Sequence, residues 1–136
     1  MSGKTVMHPP LRSPKTAWPR LALIILVSEK IIQHLFVTMA FYFNWGEIAS
    51  TVVVNSDILM ILGAVVAVLF VISLWGLITL RKWTTDLVLG LALFDIIGEF
   101  VAQGRIGIAI TVSFVVATIL LILTLLYRRQ LMIRTV

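Results

Sequence analysis

The chain contains no cysteine and only two histidines, His8 and His34, among its 136 residues. Without cysteine it can form neither a disulfide nor a thiolate metal site. Two histidines far apart in the sequence do not provide the paired spacings of a metal centre. The sequence also lacks a phosphate-binding glycine-rich loop and a nucleophile elbow. We therefore predict no metal site and no cofactor from sequence motifs.

Charge is scarce as well, because only 12% of the residues are charged while 60% are hydrophobic. Soluble domains average about 25% charged and 45–50% apolar residues. A soluble fold of this length could not bury so much apolar surface. The net charge of +5 comes largely from basic residues at the ends of apolar runs. That placement is typical of membrane-flanking charges, whereas a nucleic-acid-binding protein carries its basic residues along one face, so no nucleic-acid partner is expected.

Four apolar segments are present at residues 21–43, 58–80, 87–102 and 106–127. A helix that crosses about 30 Å of hydrocarbon needs roughly 20 mostly apolar residues, and the third segment is the shortest of the four. None of them alternates apolar and polar residues as the strands of a membrane barrel do. The pattern predicts an all-α integral membrane protein, with four transmembrane helices in a compact antiparallel bundle.

The basic residues also predict the orientation of this bundle. Nine of the eleven Lys and Arg lie in the N-terminal region, in the connection between the second and third segments, or at the C-terminus. Only Arg105 lies on the other side. By the positive-inside rule both termini are cytoplasmic, and a bacterial or archaeal plasma membrane is the expected location. Residues 1–19 are predicted to be a mobile, basic, Pro-rich cytoplasmic arm, residues 20–127 the transmembrane domain, and residues 128–136 a basic cytoplasmic tail.

Several small residues are spaced four apart along the predicted helices. Such stripes let helix backbones approach closely, within one bundle or between protomers. The pairs and triplet are Gly63 and Ala67, Gly98 and Ala102, and Ala109, Ser113 and Ala117. Close helix packing is therefore expected on these faces, and a homo-oligomer stays open.

Ionisable residues interrupt the first and third segments at membrane depth. Lys30 lies about 13 Å beyond Leu21 along a helix, and Asp95 lies about 12 Å beyond Leu87. Residues four apart share a helix face, so Lys30 and His34 form one stripe and Asp95 and Glu99 another. If the two helices are parallel neighbours, the stripes predict two pairs, Lys30 with Asp95 and His34 with Glu99.

Glu29 lies outside the Lys30 and His34 stripe. It is turned by about 100° from Lys30 and shares its own face with Gln33, four residues later. Glu29 is therefore the surplus deep acid, left to meet an amide, a water, another subunit or a proton. A carboxylate without a partner is costly in hydrocarbon, so Glu29 is the residue expected to exchange a proton in function.

These residues predict a binding site or proton relay formed by six side chains: Glu29, Lys30, Gln33, His34, Asp95 and Glu99. With His34 neutral, the ionisable members carry a formal charge of −2, which favours a cation, an amine or protons over an anion. Buried carboxylates beside Lys and His are typical of proton relays and cation-coupled carriers. The sequence thus favours proton- or cation-linked transport or conduction.

Two other functions stay open at this stage. The first is a non-catalytic accessory or assembly subunit of a larger membrane complex, in which the network only fixes helix register. The second is a proton-transfer enzyme that acts on a lipid or quinone with Glu29, Asp95 or Glu99 as acid or base. A haem is an option only if two protomers share it through His34.

Overall fold

The computed structural model describes residues 17–103 and 112–134, and all regular secondary structure in this part of the chain is helical. Helix α1 is Ala17–Tyr42, a short 3₁₀ helix is Trp45–Thr51, α2 is Ser56–Ile78, α3 is Thr84–Gln103 and α4 is Val112–Arg134. Residues 1–16 of the predicted arm lie outside the described residues. Its last three residues, 17–19, form the start of α1. Helix α4 continues through residue 134, so the predicted tail 128–136 starts inside a helix. The predicted start of the fourth segment, at residue 106, lies outside the described residues.

Local chemistry accounts for the ends of the first two helices. Pro19 occupies the first turn of α1, where a missing N–H breaks no intrahelical bond. The chain leaves α1 through left-handed backbone at Asn44, a residue that tolerates this conformation, with φ of 49°. Helix α2 is capped by Asn55, whose side-chain oxygen accepts a hydrogen bond of 2.8 Å from the Asp57 N–H.

The four long helices pack in a ring. Helix α1 packs against α2 and α4, and α3 packs against the same two helices. Neighbours run in opposite directions, since α1 begins where α2 ends and the Asp86–Arg128 ion pair joins the start of α3 to the end of α4. Helices α1 and α3 are consequently parallel but lie at opposite corners. The condition under which the two pairs were predicted, that these helices are neighbours, is not met.

Two glycines of α2 allow the close approach of other segments. A Cβ at Gly63 would lie 2.8 Å from Thr38 Oγ1 on α1, which is closer than a normal van der Waals contact allows. A Cβ at Gly76 would overlap Thr84 at the start of α3. Gly98 has no described atom near its Cβ position, so the predicted close contact on that stripe is not seen within this part of the chain. The stripe on α2 therefore packs within the bundle.

The outside of the bundle is apolar. Large side chains that are at least half exposed occur on every long helix, among them Ile32, Val68, Ile97 and Ile122. A soluble monomer does not expose so continuous an apolar surface. Within the described residues, three helices are long and apolar enough to cross a membrane: Trp18–Tyr42, Ser56–Ile78 and Val112–Ile133. These features support an integral membrane protein.

Helix α3 is not among those three candidate spans. It has 20 residues and carries three acids, Asp86, Asp95 and Glu99. Of the four spans expected from the sequence, three are confirmed as candidates by length and composition, those in α1, α2 and α4. Whether α3 crosses the membrane depends on where those acids lie in the bundle.

The basic end of the bundle is formed by the start of α1, the α2–α3 connection and the end of α4. Arg20 on α1 donates hydrogen bonds of 3.0 and 2.8 Å to the carbonyls of Leu77 and Ile78, which end α2. A cation at a helix C-terminus also complements the helix dipole. Arg81 lies over the ring of Trp75, 5.7 Å from its centroid. These contacts place Arg20 and Arg81 at one rim of the bundle, away from its apolar middle.

Candidate functional site

The centre of the bundle contains a fully buried lysine. Lys30 has no exposed surface, and its Nζ lies 2.9 Å from Asp95 Oδ2. The Asp95 side chain is itself only 4% exposed. The pair that helix depth predicts is therefore confirmed, although it joins opposite corners of the bundle instead of adjacent helices. The reach of the lysine side chain makes this diagonal contact possible.

Lys30 has more acceptors than its opposing carboxylate. Its Nζ donates to Gln33 Oε1 at 3.0 Å, to the Ser113 carbonyl at 3.0 Å and to Ser113 Oγ at 3.1 Å. With Asp95, four acceptors surround three N–H donors, so the buried ammonium is fully satisfied. Sequence reasoning placed Ser113 only in a packing stripe. The available signal was that serine is the one polar member of that stripe.

His34 makes a different contact from the predicted one. Its Nε2 lies 3.1 Å from Asp95 Oδ1 and 3.3 Å from Oδ2, so the imidazole shares the carboxylate that holds Lys30. This nitrogen does not make the predicted contact with Glu99, because it faces Asp95. Since an ionised carboxylate only accepts, Nε2 carries a hydrogen when Asp95 is charged. The ring also stacks on buried Phe70, with centroids 5.5 Å apart, and this contact fixes its orientation.

Glu99 lies one helical turn beyond Asp95 and is partly exposed. It forms an interaction of its own, while the His34 Nε2 contacts Asp95. The tightly connected cluster is consequently smaller than the predicted set. We call Lys30, Gln33, His34, Asp95 and Ser113 the central network.

Glu29 stands outside the central network, as the helix geometry predicts. Its Oε2 is buried and has no hydrogen-bond partner among the described residues. Together with Gln33 it lines a groove on the outer side of α1, whose other walls include Ile25, Ile32 and Phe36. Gln33 therefore touches both places, because its Oε1 accepts from Lys30 inside the bundle.

The charges of the site follow from this arrangement. Lys30 and Asp95 neutralise each other within the central network, so the negative charge of Glu29 has no counter-charge there. Within residues 17–103 and 112–134, no three His, Asp or Glu side chains are grouped so that they could hold a metal ion. The chemistry available to these side chains is proton exchange, hydrogen bonding and the pairing of a carboxylate with a cation.

Comparison with known proteins does not identify a function for the chain, so a functional assignment depends on the geometry of the site. The chain matches no protein-family model, no curated protein and no solved structure.

Proposed function

We propose that the chain is a four-span membrane protein, with both termini in the cytoplasm, that transports or conducts protons or cations through its central network. The observation that carries the proposal is the buried contact of Lys30 and His34 with one carboxylate, Asp95, in the middle of an apolar bundle. Polar contacts between membrane helices contribute only about 0.6 kcal/mol on average. Helix packing alone gives little reason to keep three ionisable groups at this depth, whereas proton or cation movement requires them.

The central network holds Lys30 through one charged carboxylate and three uncharged acceptors. While Asp95 is charged, it holds both Lys30 and His34. When Asp95 takes up a proton, the charge that holds Lys30 is lost, but Gln33 and Ser113 still accept from its ammonium group. His34 is the adjacent group that contacts the same carboxylate. Protonation of Asp95 thus removes the counter-charge of Lys30 but leaves three of its hydrogen-bond acceptors in place.

The proposed crossing of α3 follows from the same contacts. Asp95 points into the bundle toward Lys30, while Asp86 lies at the basic rim beside Arg128. The outer side of α3 carries exposed Phe94, Ile97 and Val101, which suit lipid. Four spans then place the connection between α1 and α2 outside the cell, and put the Arg- and Lys-rich rim in the cytoplasm.

The test is ion flux into vesicles that contain only the purified protein. We expect an imposed pH or cation gradient to drive flux that is absent from empty vesicles and is abolished by Asp95→Asn and by Glu29→Gln. Asp57→Asn is the matched control, because Asp57 is an exposed acid at the start of α2. Lack of flux through the unaltered protein under every gradient would overturn the proposal.

An accessory or assembly subunit is the alternative. It is favoured by the complete satisfaction of Lys30, since four acceptors around one ammonium also suit a rigid network that fixes helix register. This alternative predicts that the chain co-purifies with a larger membrane complex in mild detergent. A homogeneous preparation of this chain alone, taken from its native membrane, contradicts it.

A shared haem at a protomer interface has to compete with an existing contact. His34 Nε2 faces Asp95 at 3.1 Å, so ligation of iron through this nitrogen would break the contact. The absence of Soret absorption from the purified protein would remove the option. An enzyme that moves a proton on a lipid or quinone stays a prediction without an identified substrate.

A further inference from the structure

The groove beside Glu29 combines two properties that do not suit an ordinary lipid-facing helix surface. Its walls are mostly large apolar side chains, of which Ile25, Ile32 and Phe36 are each more than half exposed, and Ser28 and Gln33 also line it. Yet Glu29 also lines it, and the Oε2 of this residue is buried and has no partner among the described residues. A buried acceptor without a partner is costly, so the groove is incomplete without a cation or a hydrogen-bond donor.

We infer that this groove binds a lipophilic monovalent organic cation, which pairs with Glu29 and reaches it from the lipid. No basic residue in the described part of the chain lines the groove to neutralise Glu29. Lys30, the nearest basic residue in the sequence, is already paired with Asp95 inside the bundle. A hydrated metal ion would have to give up bound water on entering the groove, and the apolar walls offer no ligands in exchange. An organic cation with apolar substituents satisfies both the carboxylate and the walls.

A second copy of the chain fits the groove less well. A two-fold contact along α1 places the same patch of both subunits together, so Glu29 of one copy would face Glu29 of the other. Two unpaired carboxylates repel, whereas an organic cation supplies the missing opposite charge. The observations therefore favour the small cation as occupant.

The groove is also connected to the central network. Gln33 lines it and accepts a hydrogen bond of 3.0 Å from Lys30, which in turn holds Asp95. A cation bound at Glu29 is thus separated from the buried ion pair by one side chain. The inference rests on the proposed function, because it identifies the class of cation that such a transporter would carry.

The test measures binding of radiolabelled tetraphenylphosphonium to the full chain in lipid nanodiscs, with empty nanodiscs subtracted. Tetraphenylsilane, an uncharged molecule of the same shape, is the matched probe. We expect saturable binding of the cation alone, weakened about thirtyfold or more by Glu29→Gln, since the charge pair is removed. Ile32→Trp, which fills the groove without changing its charge, should also abolish binding.

Two control variants change residues outside the groove by the same substitutions. Glu47→Gln removes an exposed acid in the α1–α2 connection, and Ile61→Trp enlarges an exposed side chain of α2. We expect both to bind the cation as the unaltered protein does. Equal binding by Glu29→Gln, equal binding of the uncharged probe, or no saturable binding would each overturn the inference.

Occupation by a second copy has its own measurement. The chain has no cysteine, so Ile32→Cys introduces a single thiol at the groove. Rapid disulfide formation between copies in native membranes would show that another subunit covers the groove, and would overturn the inference. The flux assay contains no organic cation: flux without binding overturns only the inference, and binding without flux overturns only the proposed function.

Discussion

Lys30 and Asp95 are 2.9 Å apart although α1 and α3 occupy opposite corners of the four-helix ring. Both side chains are almost fully buried, and their contact connects α1 to α3 through the centre of the bundle. His34 contacts the same carboxylate from α1. One acid therefore holds two basic side chains, and this relationship underlies the first prediction.

Loss of one member of the buried pair should be far more costly than loss of both. Asp95→Asn leaves the Lys30 charge without a counter-charge and should lower the free energy of unfolding by on the order of 3 kcal/mol. Adding Lys30→Met to Asp95→Asn should recover much of that loss, because no buried charge remains. The measurement is unfolding in detergent for both single variants and the double variant.

The matched control for this prediction is Asp86→Asn. Asp86 pairs with Arg128 at 3.2 Å, but both side chains are largely exposed at the rim. Exposed ion pairs contribute well under about 1 kcal/mol, so this variant should unfold nearly as the unaltered protein does. Additive losses in the Lys30 and Asp95 double variant would contradict the proposed coupling.

Glu29 should behave in the opposite way from Asp95. Because its buried Oε2 has no partner in the described residues, Glu29→Leu removes an unsatisfied acceptor and should raise the free energy of unfolding by on the order of 1 kcal/mol. Glu29→Gln keeps a polar side chain of the same size and should change stability less. A clear loss of stability in Glu29→Leu would show that Glu29 holds the fold together.

The close approach of α1 and α2 at Gly63 can be tested with a rescue. Gly63→Ala places a Cβ against Thr38 Oγ1 and should lower stability by about 1–3 kcal/mol. The double variant Gly63→Ala with Thr38→Ala removes the obstructing hydroxyl and should restore most of the loss. Thermal unfolding in detergent is the measurement.

Gly98→Ala is the matched control for that clash. Its Cβ would meet no described atom within 4 Å, so the higher helix propensity of alanine should leave stability unchanged or slightly raised. Equal effects of alanine at Gly63 and Gly98 would mean that the contact of α2 with Thr38 does not constrain the helices.

The crossing of α3 and the cytoplasmic termini can be tested by thiol labelling, because the chain contains no cysteine. We expect Glu47→Cys, in the α1–α2 connection, to react with a membrane-impermeant maleimide in intact cells. Lys82→Cys, in the α2–α3 connection, should react only after permeabilisation. Labelling of both positions in intact cells would contradict the proposed orientation.

Much of the candidate site could be inferred from helix periodicity. Positions four apart placed Lys30 and His34 on one face, and equal depth along α1 and α3 predicted the contact of Lys30 with Asp95. The 100° turn between consecutive residues separated Glu29 from that face, and its Oε2 has no partner among the described residues. These inferences hold because a helix determines direction and depth from residue number alone.

Other features of the site could not be inferred in this way. Choosing Asp95 over Glu99 for His34 depends on the relative shift of α1 and α3 and on the Phe70 ring that holds the imidazole. Recruiting the Ser113 carbonyl depends on where α4 lies beside α1, because a backbone acceptor leaves no mark in residue type. Both are properties of packing between helices that are distant in sequence.

By itself, the sequence determined that the chain is helical and apolar enough for a membrane, and that acids and bases lie at matching depths in its first and third apolar segments. Those properties are local, since they depend on composition and on 1.5 Å of rise per residue. Only the tertiary structure decided that the helices bearing the charges are diagonal, that one carboxylate serves both Lys30 and His34, and that Glu29 faces an outer groove. Which side chains pair depends on the distances between them, and these distances are set only when the four helices pack together.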